Sequence, residues 1–129
     1  MGNTNSNSGP GYAKHPDHKV IVERHPGRHR IVINGEVVAD SSDTLLMNES
    51  GYERVHYFPC KDVRMDMMPS NTHHTFCPFK GEASYWDFDA SGGLVENAAW
   101  GYLEPFDEVS ELKGFVAFDT EKIDEIIFG

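Results

Sequence analysis

Short runs of β-branched and aromatic residues, each ended by a turn signal, constrain the fold of this chain more than any other feature. The runs at residues 30–33 and 36–39 flank Asn34-Gly35, a dipeptide typical of a two-residue hairpin turn. Strands are predicted at residues 19–23, 30–33, 36–39, 44–49, 53–58, 83–88, 98–103 and 114–118. Strands this short, joined by turns, predict a mainly β, compact antiparallel fold, either barrel-like or built of two sheets (tent-like). One or two short helical turns are predicted at residues 60–68 and 107–112, whereas residues 120–128 are ambiguous between helix and strand.

The chain of 129 residues suffices for one domain. Residues 1–18 are polar and rich in Gly, Asn and Ser, so we expect a disordered tail followed by a single β-rich domain at 19–129. The first six residues also match the short pattern for N-myristoylation at Gly2, which has meaning only in a eukaryotic host. A plain tail is the favoured interpretation, because no second anchor such as a polybasic stretch follows.

Charge and hydropathy exclude several classes of partner. A formal net charge of −10 argues against binding duplex nucleic acid through a general electrostatic surface. No apolar run approaches the roughly 18 residues of a membrane span, and the start of the chain lacks a secretion signal. We therefore expect a cytoplasmic protein with Cys60 and Cys77 reduced. No pattern identifies a cofactor, and the oligomeric state stays open, a homodimer included.

The aromatic-rich centre of the chain carries two cations that predict an anion site. Period-two geometry places Arg54 with His56 on one face of its strand and Tyr57 on the other. Lys80-Gly81 would offer an ammonium and accessible backbone N–H groups to an anion, with Arg54 opposite across a barrel. The alternative is an aromatic core whose tyrosine and tryptophan tips reach water or backbone.

Thiol and metal chemistry are weaker hypotheses. Cys77 lies near His73, His74 and Lys80 in sequence, but a small buried residue in a turn is the favoured interpretation. A metal site would combine Cys60 and Cys77 with one or both histidines, yet no CxxC or HxxxH spacing supports it, so no metal is predicted.

Asp87-Phe88-Asp89 is a D-x-D on a predicted strand, where both carboxylates could point the same way. That arrangement suits a Mg²⁺ pair in nucleotidyl transfer. The phosphate-cradling glycine loop that usually accompanies such a pair is missing. Solvation of a strand end is therefore the favoured interpretation.

An ordered series of motifs gives a family resemblance. The motifs are RVHYFP (54–59), DV (62–63), TFCPFKG (75–81), YW (85–86), AWGYLEP (99–105) and GFVAF (114–118). In order and spacing they resemble the domain of unknown function 427 family, over about residues 19 to 129. The resemblance implies a compact, mainly β fold. The family is also labelled nucleotidyltransferase-like, although the glycine loop and D-x-D are not in its pattern.

The resemblance implies that the motif residues line one pocket. Phe58 and Phe79 stand where the family commonly has tyrosine, and Gly101 where it has serine, so some hydroxyls are lost. The implied ligand contacts are Arg54, Tyr57, Lys80, Tyr85, Trp86, Trp100 and Tyr102, and the catalytic candidates are Cys77, Lys80 and Asp62. The favoured function is binding of a small anionic or nucleotide-like molecule, with an enzyme of nucleotidyltransferase-like type as its catalytic form. The alternatives are a non-enzymatic interaction module with an aromatic core, and thiol-dependent chemistry at Cys77.

Overall fold

The computed structural model describes residues 7–90 and 92–128, and ten strands in this part of the chain form two antiparallel sheets. The strands are β1 Val20–Arg24, β2 His29–Ile33, β3 Glu36–Ser41, β4 Leu45–Glu49, β5 Val55–Pro59, β6 Ser70–Cys77, β7 Gly81–Ala90, β8 Gly93–Tyr102, β9 Phe115–Phe118 and β10 Glu125–Phe128. The larger sheet has the order β1-β4-β5-β9-β8-β7-β6, and the smaller has the order β10-β2-β3. A mainly β, two-sheet fold is thus confirmed, without closure into a barrel over these residues.

Helical structure is short. The helix α1 covers Gly11–Lys14, and 3₁₀ turns cover Cys60–Asp62, Met65–Met67 and Asp107–Leu112. No helix within 7–90 and 92–128 is long and apolar enough to cross a membrane.

The larger sheet is covered on both faces, which gives the domain two cores. Phe58 joins the cluster between the two sheets, together with residues such as Ile31 and Phe88. Tyr57, the preceding residue of β5, joins a second cluster with Val109 and Leu112 of the last 3₁₀ turn. Because neighbouring strand residues point to opposite faces, one strand supplies both cores.

The β2–β3 hairpin forms at Asn34-Gly35 as the sequence predicts. These residues have φ of 50° and 80°, the left-handed values that a two-residue type I′ turn requires. Their backbone N–H groups donate to the Asp124 carboxylate at 3.0 and 2.7 Å, which fixes the approach to β10.

Two strands differ from the sequence-based expectation. β6 was not predicted, because it is a mostly exposed edge strand without alternating apolar residues. β10 resolves the ambiguous C-terminal segment, where Glu125–Phe128 pairs antiparallel with β2. The helical spacing of Ile123 and Ile126 instead places both side chains against the core between the sheets.

The N-terminal segment also differs from the expected tail. Residues 7–18, which we call the N-terminal strap, pack on the turn between β6 and β7. Gly11 N–H donates to the Pro78 carbonyl at 3.0 Å, and the Tyr12 hydroxyl donates to the Phe79 carbonyl at 3.1 Å. The two strap glycines, Gly9 and Gly11, are buried against the turn. A Cβ at Gly9 would lie 2.8 Å from the Pro78 carbonyl oxygen, and a Cβ at Gly11 would lie 2.7 Å from the Phe79 ring, so a larger residue would not fit at either position. Residues 1–6, with the predicted myristoylation site, lie outside the described residues.

The start of the strap is held by the last 3₁₀ turn. The backbone N–H of Asn7 donates to the Asp107 carboxylate at 2.8 Å, and that of Gly9 donates to Glu108 at 2.9 Å. The Ser8 hydroxyl also donates to Glu108. Composition alone could not predict this order, since it arises from contacts with residues about 100 positions away.

Candidate functional site

Glu49 at the end of β4 is a buried carboxylate with two basic partners. Lys80 Nζ lies 2.6 Å from its Oε1, and His18 Nε2 lies 2.9 Å from its Oε2. The side chains are 6% (Glu49), 12% (Lys80) and 15% (His18) exposed. The three residues come from β4, from the β6–β7 turn and from the end of the N-terminal strap. Separate elements therefore meet at one ion-paired centre.

Glu49 was not among the predicted site residues. It shares a face of β4 with the buried Met47, two positions earlier. An acidic residue on the inward face of a strand needs a partner, because an unpaired buried charge is costly. That pattern was the available signal, and only the three-dimensional structure identifies Lys80 and His18 as the partners.

A groove of about 680 Å³ opens beside this centre, and we call it the Lys80 groove. Its lining consists of Met47, Glu49, Tyr52, Glu53, Val55, Tyr57, Phe76, Cys77, Pro78, Phe79, Lys80 and Trp100. Four of the predicted site residues, Tyr57, Cys77, Lys80 and Trp100, are thereby brought together. The wall is mainly apolar and aromatic with a few polar groups, which is the usual character of a small-molecule site.

The tyrosines beneath the groove are held neutral. Burial raises the pKa of Tyr57 well above its ordinary value, although a hydrogen bond with Trp100 opposes the shift. Burial raises the pKa of Tyr102 in the same way, and nearby acidic groups, Glu49 among them, add to the effect. A third tyrosine, Tyr85 of β7, has its hydroxyl 2.9 Å from the hydroxyl of Thr75 on β6. Tyr57 and Tyr102 therefore keep their protons well above neutral pH.

Arg54 lies elsewhere. It lines a separate pocket of about 300 Å³, whose walls include Ile31, His56 and Phe58 from the side facing the smaller sheet. Arg54 and Lys80 therefore line different pockets, because the larger sheet has two covered faces where a barrel would have one interior. Trp100 contributes to the lining of both pockets.

Comparison with known proteins places this architecture in a family. A family model described as a domain of unknown function, DUF427, matches residues 21–129. The chain belongs to the DUF427 family. A search of curated proteins finds no match. The matched range contains Glu49, the β6–β7 turn and the Lys80 groove, whereas the N-terminal strap precedes it.

Two of the predicted site residues are used elsewhere in this DUF427 domain. The Asp62 carboxylate accepts a hydrogen bond from the Ser41 hydroxyl at 2.7 Å, in the 3₁₀ turn after β5. Trp86 is half-buried and packs against the cluster between the sheets. Neither residue belongs to the described lining of the Lys80 groove.

The cysteines and the paired histidines do not gather at one point. Cys77 is half-buried in the groove wall, whereas Cys60 packs against the cluster between the sheets, and burial raises the pKa of its thiol. The ring of His73 lies 4.5 Å from that of Tyr85, and His74 lies 4.0 Å from Glu82. Over the described ranges, no group of three or more His, Cys, Asp and Glu residues is arranged to hold a metal ion.

Asp87 has a structural role in the DUF427 sheet. Its Oδ1 accepts hydrogen bonds from the Asn71 side chain at 2.7 Å and from the Asn97 backbone at 2.9 Å. Asn97 has a positive φ of 52°, so the carboxylate stabilises an unusual backbone where the β7–β8 pairing shifts register. Asp87 is therefore held inside a hydrogen-bond network of the sheet and does more than solvate the strand end, which was the favoured interpretation from the sequence.

Proposed function

We propose that the Lys80 groove binds a small molecule that carries an anionic group and a flat apolar part, a nucleotide-like molecule among them. The observation that carries the proposal is the Lys80–Glu49 ion pair, almost excluded from solvent yet forming part of the wall of a groove of about 680 Å³. A site of this size is typical of small-molecule binding.

Lys80 provides the anion contact in this proposal. A lysine ammonium has three N–H donors, and Glu49 accepts from it through Oε1. An incoming phosphate or carboxylate would add a second acceptor to a cation that is already positioned and largely desolvated. Positioning of this kind lowers the conformational entropy lost on binding.

The aromatic side chains provide the second contact. Tyr57 and Trp100 line one part of the groove, and Phe76 and Phe79 line another. A flat ring packs well on such surfaces, because aromatic pairs contribute beyond their buried area. Glu49 and Glu53 keep the groove from being generally cationic, so we expect one anionic group at the Lys80 end and not a highly charged ligand along its whole length.

A thermal-shift screen of nucleotides, sugar phosphates and carboxylates tests the proposal. The test variant is Lys80→Met, which keeps an unbranched stem, and the matched control is Lys61→Met. Lys61 also forms an ion pair, with Asp43 at 2.8 Å, but its side chain is 65% exposed.

At a concentration of about 100 times Kd, a ligand stabilises the folded state by about 2.7 kcal/mol. We expect at least one compound class to raise the melting temperature of the wild type and of Lys61→Met by several degrees. The Lys80→Met variant, folded by circular dichroism, should show no such shift. The proposal fails if no compound stabilises the protein, or if Lys80→Met responds as the wild type does.

Thiol chemistry at Cys77 is the second candidate, favoured by its half-buried place in the groove wall beside Lys80. Alkylation by iodoacetamide at neutral pH tests it, with Cys60 of the same chain as the internal reference. A reactive Cys77 would be modified much faster than Cys60 and much faster than free cysteine. Equal slow rates would leave Cys77 as a packing residue.

A further inference from the structure

The N-terminal strap forms one wall of a recess next to the Lys80 groove. The recess has a volume of about 780 Å³ and lies between the strap and the turn that follows β4. Lys14, His15 and His18 line it from the strap. Tyr52 and Phe79 line both the recess and the Lys80 groove, so the two spaces share a wall.

Specific contacts hold the strap in the position that forms this recess. The rings of Tyr12 and Phe79 meet edge to face at 5.1 Å, and the ring of His18 stacks on Phe79 at 3.9 Å. Burial raises the pKa of Tyr12 to about 12, with a contribution from Glu108. His18 also shares the Glu49 carboxylate with Lys80. The strap therefore contributes a side chain, His18, to the ion-paired centre around Glu49.

The two spaces differ in charge. The groove pairs the cation Lys80 with two acids, Glu49 and Glu53. The recess has one fixed cation, Lys14, against one acid, Asp17, and Lys14 forms no ion pair with the residues that the structure describes. His15 adds a ring nitrogen to the recess, whereas His18 is already paired with Glu49. A second anionic group is therefore better accommodated in the recess than further along the groove.

We propose that the N-terminal strap completes the ligand site, so that the site selects molecules with two anionic groups over those with one. The ring and the first anionic group occupy the Lys80 groove, and the second anionic group lies in the strap recess near Lys14 and His15. This inference rests on the proposed function and narrows its ligand class to molecules such as nucleoside diphosphates. The strap precedes the residues that match the DUF427 family, so the selectivity belongs to this chain's own N-terminal segment.

Isothermal titration with adenosine and uridine mono- and diphosphates tests the inference at about 50 mM salt, where screening is weak. We expect the wild type to bind a diphosphate about fivefold more tightly than its monophosphate, because one additional exposed ion pair contributes about that much affinity. Lys14→Glu should abolish this preference. The control Lys113→Glu makes the same charge change at a side chain that is 67% exposed and outside both spaces. Both lysines are exposed, so both variants should fold.

The outcomes separate the two proposals. Loss of the diphosphate preference in Lys14→Glu, with the preference retained in Lys113→Glu, supports the inference. An unchanged preference in Lys14→Glu, or an equal loss in both variants, overturns the inference. In that case the proposed function stands if binding of the monophosphate is still lost in Lys80→Met. If the wild type binds neither class of nucleotide, the inference is overturned. If monophosphate binding survives in Lys80→Met, the proposed function is overturned as well.

Discussion

Replacing Glu49 by alanine should destabilise the domain more than replacing any exposed acidic residue. Lys80 would then hold a charge that is 12% exposed, without the carboxylate that lies 2.6 Å from its Nζ. His18 would lose the same carboxylate at 2.9 Å. The expected cost comes mainly from the stranded ammonium, because an uncompensated buried charge is far less favourable than a paired one.

The size of the effect follows from the burial of both partners. Breaking a buried ion pair by removing one partner costs about 3–5 kcal/mol, against a total stability of about 5–15 kcal/mol for a domain. An unfolding entropy of about 2.1 cal/mol/K per residue over about 120 residues converts this loss to a fall in melting temperature of roughly 12–20 °C. The double variant Glu49→Leu/Lys80→Met strands neither the ammonium nor the carboxylate, so its loss should be much smaller than the sum of the single losses.

Urea unfolding monitored by tryptophan fluorescence measures these differences, since Trp86 and Trp100 are both half-buried. Asp43→Ala is the matched control, because its pair with Lys61 is exposed and should contribute at most about 1 kcal/mol. If Glu49→Ala and Asp43→Ala lose similar stability, solvent screens the Glu49 pair and the reasoning is refuted. Additive losses in the double variant would also refute it.

Three further perturbations test other parts of the structure. Burial, with nearby histidines and Arg54, lowers the pKa of His56 from 6.5 to about 4. The unfolded chain binds this proton more readily than the folded protein, so stability that is present above pH 6.5 should be lost as the pH falls toward 4. His56→Leu should therefore flatten the pH dependence of the urea midpoint. Gly11→Ala would place a Cβ 2.7 Å from the Phe79 ring. This clash should loosen the strap, so its backbone amides should exchange hydrogen faster than in the wild type. Unchanged exchange rates would show that the ring moves aside. Gly35→Ala should cost about 1–2 kcal/mol by urea unfolding, since φ is 80° there and no atom lies within 4 Å of the new Cβ to add a clash.

Local chemistry made much of the fold predictable. Asn34-Gly35 predicts its hairpin because few dipeptides adopt the positive φ values that the turn requires. β6 escapes prediction for the opposite reason, since an exposed edge strand has no buried face to impose alternation. The order of Gly9 and Gly11 is also invisible in sequence, because small residues are as typical of a flexible tail as of a close packing contact.

The candidate site was predictable only in part, because the sequence does not show that both faces of the larger sheet are covered. Alternation along β5 places Tyr57 and His56 on opposite faces, and a closed barrel would leave only one of those faces inside. The larger sheet is instead covered on both sides, so Tyr57 with Lys80 and Arg54 with His56 belong to different pockets. Motif order identified residues of both pockets but could not show that there were two.

The Glu49 centre also separates what stabilises the fold from what binds a ligand. A buried ion pair adds little net stability compared with apolar residues of similar volume, because desolvation offsets the attraction between the charges. Glu49 and Lys80 could therefore be replaced together with small loss of stability, yet the groove would lose its cation and the strap would lose the carboxylate that pairs with His18. A double variant that folds well but no longer responds to the ligands bound by the wild type would assign the pair to binding. A double variant with wild-type ligand response would assign it to packing alone.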